Sequence, residues 1–187
     1  RRFKKKEIKK YSSYFSGYFS TIPYFGVIRK KSLFYKKKYI SLGRTHPLEP
    51  DTIHGEGWVN QWKLIKENKS SVLLKFSHNG KKSFPYKYEA LQKFRIHKNC
   101  LEITVSIKNI DNKTFDCGIG FHPWFDLNKF SKIFSNTYQY VEIDKNNSYK
   151  TKKLLKNKSL FNFNKINIDE TFINWNGRTK LVLDKSL

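Results

Sequence analysis

Two stretches hold the residues best suited to chemistry. "GIGFHPWFDL", residues 118–127, sets His122 after Gly118 and Gly120, directly before Pro123, among Phe121, Trp124 and Phe125. Proline fixes its own φ and drives the preceding residue toward extended geometry, which restrains the His122 backbone. The neighbouring aromatics can wall its ring. An imidazole held this way, with an ordinary pKa near neutrality, suits general acid–base work. The alternative is a core histidine with its hydrogen bonds satisfied. "DTIHGEGWVNQW", residues 51–62, sets His54 beside Gly55 and Gly57, ahead of Trp58 and Trp62. The glycines admit close approach of a ligand to the backbone, and the tryptophans offer flat apolar faces. A glycine turn with two core tryptophans explains the same residues, and the local sequence leaves both readings open.

Other chemistries find little support. His78 and His97 lie at strand ends or turns among lysines, and His46 lies in a polar loop before Pro47, so all three read as ordinary solvated histidines. No His-x-x-x-His spacing occurs, and Cys100 and Cys117 form neither a zinc motif nor a disulfide framework. The expected compartment is therefore reducing, the cytoplasm. No glycine-rich phosphate loop precedes a helix, and no serine sits in a nucleophile elbow. Covalent catalysis and metal hydrolysis rank low.

The elements that must position the two histidines are strands. In "CLEITVSIKNI", Leu101, Ile103, Val105 and Ile107 face one way and Glu102, Thr104, Ser106 and Lys108 the other. "YKYEALQKFRIH" alternates Tyr86, Tyr88, Ala90, Gln92, Phe94 and Ile96 on one side, and Lys98–Asn99 makes a hairpin turn between the two runs. "NIDNKTF" reads as a second turn, so three consecutive strands are expected to meander from Tyr86 to about Phe121. "SLFYKKKYISL" reads as strand, lysine turn, strand. "WVNQWKLIKEN" with "SSVLLKFSHNG" reads as another hairpin. "YQYVEID" and "TKLVLDKSL" are further strands, joined by a lysine- and asparagine-rich connection over residues 145–165. No stretch keeps helical spacing for three turns. The expected class is all-β, a large antiparallel sandwich or a barrel.

Composition bounds the partners. The chain has 187 residues, enough for one domain, with 17% aromatics and a single alanine. Its formal charge of +23 invites a nucleic-acid reading, but 32 of its 38 basic residues are lysine. Planar bidentate recognition of bases and phosphates favours arginine. Together with the abundance of Asn, Ile, Phe and Tyr, this reads as compositional drift, with weak nonspecific polyanion affinity and no specific nucleic acid. No apolar run spans a bilayer, and the basic and aromatic lead-in over residues 1–16 lacks the clean apolar core of a signal peptide. The absence of any methionine suggests a fragment.

Taken in order, these stretches resemble the aldose 1-epimerases, the galactose mutarotase-like family. "FPYKYEALQKFRIHKNCLEITVSIKNIDNKTFDCGIGFHPWFDL" resembles the family's central run. "IHGEGWVNQW" is similar to its His-Gly-x-Gly-Trp segment, and "IDETFINWNGRTKLVL" to its Asp-x-x-Phe-x-x-Trp-x-Gly-Arg segment. The pattern of "GYFSTIPYFGVIRKKSLFYKKKYISL" matches the earlier stretch. The resemblance implies a single large twisted β-sandwich over residues 1–187, incomplete at both ends, whose concave face binds a monosaccharide. It implies interconversion of α and β anomers by acid–base ring opening and closure, with no metal or organic cofactor. By the same resemblance His122 is the general acid at the ring oxygen, His54 contacts the sugar and assists that transfer, and Asp169 binds sugar hydroxyls. Trp58 joins the substrate-binding set.

Two departures bear on this. Where the family has Asn-Arg, this chain has Gly26 and Val27. Arg29 is the candidate substitute, provided strand alternation bends to bring it round. The family's general-base glutamate lies well past the Asp-x-x-Phe segment, so it is expected beyond Leu187, and Glu170 does not replace it by motif. The chain as it stands is then expected to turn over poorly. A non-catalytic carbohydrate-binding protein on the same scaffold is the alternative, and a basic nucleic-acid-binding β-domain is a third reading. Oligomeric state is open.

Overall fold

The computed structural model describes residues 17–125, 131–135, 137, 139–143, 149–153, 159–162 and 171–182. The chain divides into two compact units, Arg1–Trp124 and Phe125–Leu187. Apart from a 3-10 turn at Arg29–Lys31, every regular element among the described residues is a strand, as the period-two patterning predicts.

In the first unit the strands are β1 (Tyr18–Thr21), β2 (Val27–Ile28), β3 (Ser32–Tyr35), β4 (Lys38–Ser41), β5 (Thr52–Ile53), β6 (Lys63–Asn68), β7 (Ser71–Lys81), β8 (Phe84–His97), β9 (Cys100–Asn109) and β10 (Gly120–Pro123). The largest sheet is antiparallel in the order β6-β7-β8-β9. On β8, Phe84, Tyr88, Ala90 and Gln92 are buried, so the alternating face read from the sequence is the core face except at Ile96, which is exposed at the hairpin end. Ile103, Val105 and Ile107 of β9 are half-buried beside it, and only Leu101, at the hairpin end, escapes into solvent. The lysine turn between β3 and β4 carries left-handed Lys36 and Lys37, and Lys98 does the same between β8 and β9.

The core gathers Ile22, Leu42, Phe76, Phe84, Tyr88 and Ala90, with Tyr86 and Phe115 packed on it. Phe115 stacks on Tyr86 at 5.2 Å and meets Phe84 edge-on at 5.3 Å. His78 is a correction to the sequence reading. Its place beside Gly80 and Lys81 suggests solvent exposure, yet it is only 1% exposed. Its Nε2 pairs with the Phe84 carbonyl at 2.7 Å, and its ring stacks on Tyr88 at 5.0 Å. The β7–β8 pairing continues past it to Lys81, so His78 takes the inward parity of its strand.

The three-strand meander is also corrected. After β9 the chain turns on Asn109 and Asp111, whose side chains accept the Asp111, Lys113 and Lys87 backbone N–H groups. Strand structure resumes only at Gly120, and β10 pairs with β1, not with β9. Alternation reports which face a residue takes; it carries no information about a nonlocal partner.

The second unit holds β11 (Lys132–Ser135), β12 (Gln139–Ile143), β13 (Tyr149–Lys153), β14 (Ser159–Asn162), β15 (Thr171–Ile173) and β16 (Thr179–Val182). They form two three-stranded sheets, β14-β11-β16 and β13-β12-β15. The stretch 145–165, read as a connection, therefore contributes β13 and β14. Between β15 and β16 the Trp175 Nε1–H donates to the Arg178 carbonyl at 2.9 Å, closing the turn of the Trp-x-Gly-Arg motif.

Candidate active site

His122 and His54 come together within the first unit. The β1–β10 register sets Phe19 opposite His122, and their rings stack at 4.5 Å and 20°. Trp124 reaches the same imidazole at 5.1 Å. Phe121, one residue earlier on β10, takes the opposite face and packs on Tyr18, so it does not wall the histidine as its neighbourhood suggested.

His54 arrives by another route. Val27 of β2 pairs with Ile53 of β5, and just past that pair Gly26 and His54 exchange two hydrogen bonds. The His54 N–H donates to the Gly26 carbonyl at 3.0 Å, and the Gly26 N–H donates to His54 Nδ1 at 3.1 Å. This geometry needs φ of +73° at Gly26 and +56° at His54. A left-handed backbone costs a non-glycine residue about 1–2 kcal/mol, and such outliers cluster at functional sites. Because Nδ1 accepts, the proton of the neutral ring resides on Nε2.

The two imidazoles meet edge to face at 5.2 Å. Trp58 stands edge-on to His54 at 5.8 Å, touches Phe19 at 5.4 Å, and meets His46 at 5.3 Å. Burial and then the neighbouring His122 charge hold the His54 pKa down at about 4, partly offset by Glu49. His54 is therefore neutral at pH 7, a fixed N–H donor. His122 Nδ1 is buried with no hydrogen-bond partner among the described residues. Such an orphaned atom costs about 1–3 kcal/mol, and the Thr21, Tyr24 and Tyr88 hydroxyls share that state among the described residues.

The glycines and Trp58 are packed more closely than the sequence suggests. A Cβ on Gly55 would strike the Ile22 carbonyl, and one on Gly57 the Ile22 side chain. The glycines thus admit the chain leaving β1, not a ligand. Trp58 is 5% exposed and donates its Nε1–H to the Ile53 carbonyl at 3.1 Å, so it is held as a buried wall. The open aromatic beside the histidines is Trp124, 58% exposed. Glu56 is buried, and its carboxylate accepts from the Asn60 amide at 2.5 Å. Arg29 is exposed in the turn after β2, three residues past Gly26. Asp169 and Glu170 lie outside the described residues. No cluster of His, Cys, Asp or Glu suited to a metal occurs among the described residues, nor any helix long and apolar enough to cross a membrane.

Sequence reasoning missed Phe19 and His46. Phe19 has no local signal, because its role follows from a nonlocal register. His46 shares with His122 the proline that follows it, and that cue was available.

The aldose 1-epimerase family profile matches residues 3–186. The uncharacterized protein YphB of Escherichia coli K12 is 28% identical over 109 residues, 55% of this chain and 37% of the relative. The crystal structure of a candidate aldose 1-epimerase from E. coli K12 superposes with a TM-score of 0.76 at 20% identity, covering 91% of this chain and 59% of that one. A galactose mutarotase related enzyme from Lactobacillus acidophilus gives 0.62 at 20% identity, covering 90% and 59%. The chain thus spans 37% of the curated relative and 59% of each of these solved chains. The fold is the galactose mutarotase-like β-sandwich.

Proposed function

The chain belongs to the aldose 1-epimerase family, and from that premise we propose that it serves a mutarotase acting on a free aldose. His122 delivers a proton to the ring oxygen as the anomeric C–O bond of the ring breaks, and recovers it when the aldehyde has rotated and the ring closes on the other face. His54 donates its Nε2–H to the same region of the sugar. Being neutral, it lets His122 carry the mobile proton without a second cation 5.2 Å away. Trp124 offers the apolar face for the sugar ring. Asp169 binds hydroxyls, and a carboxylate later in sequence than the Asp169 segment takes the anomeric proton.

The observation that carries this reading is the His54–His122 pair, with one ring locked as a neutral donor by Gly26 and the other holding a buried, unpaired nitrogen. Anomer exchange of D-glucose and D-galactose, followed by polarimetry or NMR exchange spectroscopy on the whole gene product, tests it. His122→Ala is expected to remove about 10²–10⁴-fold of the acceleration. Sugar binding without acceleration would instead favour a non-catalytic carbohydrate-binding protein. Gly26 and Val27, in place of the family's Asn-Arg, are the observation behind that second reading.

A further inference from the structure

Beside the Phe19–Trp58 contact lies a cavity of about 330 Å³, lined by Tyr18, Phe19, Trp58, Trp62, Gln92 and Phe94, with Ser20, Gly57, Asn60 and Leu74 completing it. We propose that this cavity is a second carbohydrate site, for one neutral pyranose unit, sharing the Phe19–Trp58 wall with the histidine site. Its size falls within the range of about 300–1,000 Å³ typical of small-ligand clefts.

The wall is preorganised. Both tryptophans donate Nε1–H to a carbonyl five residues back, Trp58 to Ile53 at 3.1 Å and Trp62 to Gly57 at 2.8 Å. The ring planes are thereby fixed before any ligand arrives, which lowers the cost of binding. Phe94 is held edge-on by Tyr18 at 5.7 Å. The floor is the β7–β8 ladder, where Leu74 pairs with Gln92. Gln92 is a polar side chain only 4% exposed on an otherwise apolar face. Ser20 Oγ and Tyr18 OH pair at 2.9 Å, and the Asn60 amide lies at the cavity edge, tied to the Glu56 carboxylate. Aromatic planes with amide and hydroxyl groups between them match a ring that has apolar C–H faces and an equatorial belt of hydroxyls. Gln92 bonds the Tyr18 hydroxyl, so this polar group too is held in place before a ligand arrives.

The inference rests on the family reading only for the choice of sugar, and its test separates the two. Saturation-transfer NMR and calorimetry with D-glucose and D-galactose are run on the parent protein, Gln92→Leu, Leu74→Phe and His122→Ala, with anomer exchange measured alongside. His122→Ala is expected to keep a sugar-binding component with saturation from tryptophan protons. Gln92→Leu, which deletes the amide, and Leu74→Phe, which fills the space, are each expected to weaken that component at least tenfold. Two variants acting from opposite strands guard against a folding defect in either. Loss of all sugar binding in His122→Ala, or unchanged binding in both cavity variants with raised thermal stability, would make the cavity a packing gap only. Anomer exchange that is absent while this component persists overturns the mutarotase reading and leaves the second site standing.

Discussion

His78 and His122 are both stacked on an aromatic ring at about 20°, at 5.0 and 4.5 Å, yet they have opposite fates. His78 is fully buried and bonded through Nε2 to the Phe84 carbonyl. His122 keeps part of its surface, has an unpaired Nδ1, and faces a second imidazole. Aromatic walls therefore do not by themselves distinguish a structural histidine from a candidate acid–base group. What separates the two is hydrogen-bond satisfaction: His78 closes its valence on a backbone carbonyl, and His122 leaves one open beside another titratable group, the feature on which its proposed role rests.

Exchanging the two residues' fates by mutation gives the largest effects. His122→Ala should cost about 10²–10⁴-fold in anomer exchange while moving the unfolding midpoint little. His78→Ala should do the reverse, losing about 2–4 kcal/mol of stability with unchanged exchange per folded molecule, as measured by denaturant titration. A His78 variant that unfolds no more easily would break the contrast.

Gly26→Ala sharpens it. The left-handed φ of +73° disfavours a side chain, and displacing the Gly26 N–H frees His54 Nδ1. Anomer exchange should fall about tenfold or more through loss of positioning. Histidine ¹⁵N shifts should show the His54 proton leaving Nε2 for a mixture of tautomers.

A smaller effect lies in pH. The His54 pKa is depressed from 6.5 to about 4, so between those values the unfolded chain binds a proton that the folded chain refuses. Its contribution to stability is present above pH 6.5 and is lost as pH falls toward 4. The unfolding midpoint should drop across that window, and His54→Asn should flatten the slope. Smallest is the effect of the +23 charge: polyanion binding should vanish at moderate salt, without sequence preference, and leave exchange untouched.

Much of the scaffold was legible because β8 buries one face and β9 half-buries one, and burial writes itself into period-two alternation. Both histidines of the site were legible through their Gly and Pro neighbours. The partners were not. Phe19 meets His122 across a register between residues a hundred positions apart, and the β2–β5 pair that delivers His54 is two residues long. Glycine in the sequence announces a close approach without saying what approaches; at Gly55 it is the Ile22 backbone.

The central claim is that His122 moves the proton at the sugar ring oxygen. The most direct measurement is the pH profile of anomer exchange for D-galactose, taken on the whole gene product and on His122→Asn. The account predicts that the parent accelerates exchange, and that His122→Asn removes most of the acceleration at every pH. A variant that exchanges anomers as fast as the parent, with the same profile, would contradict it.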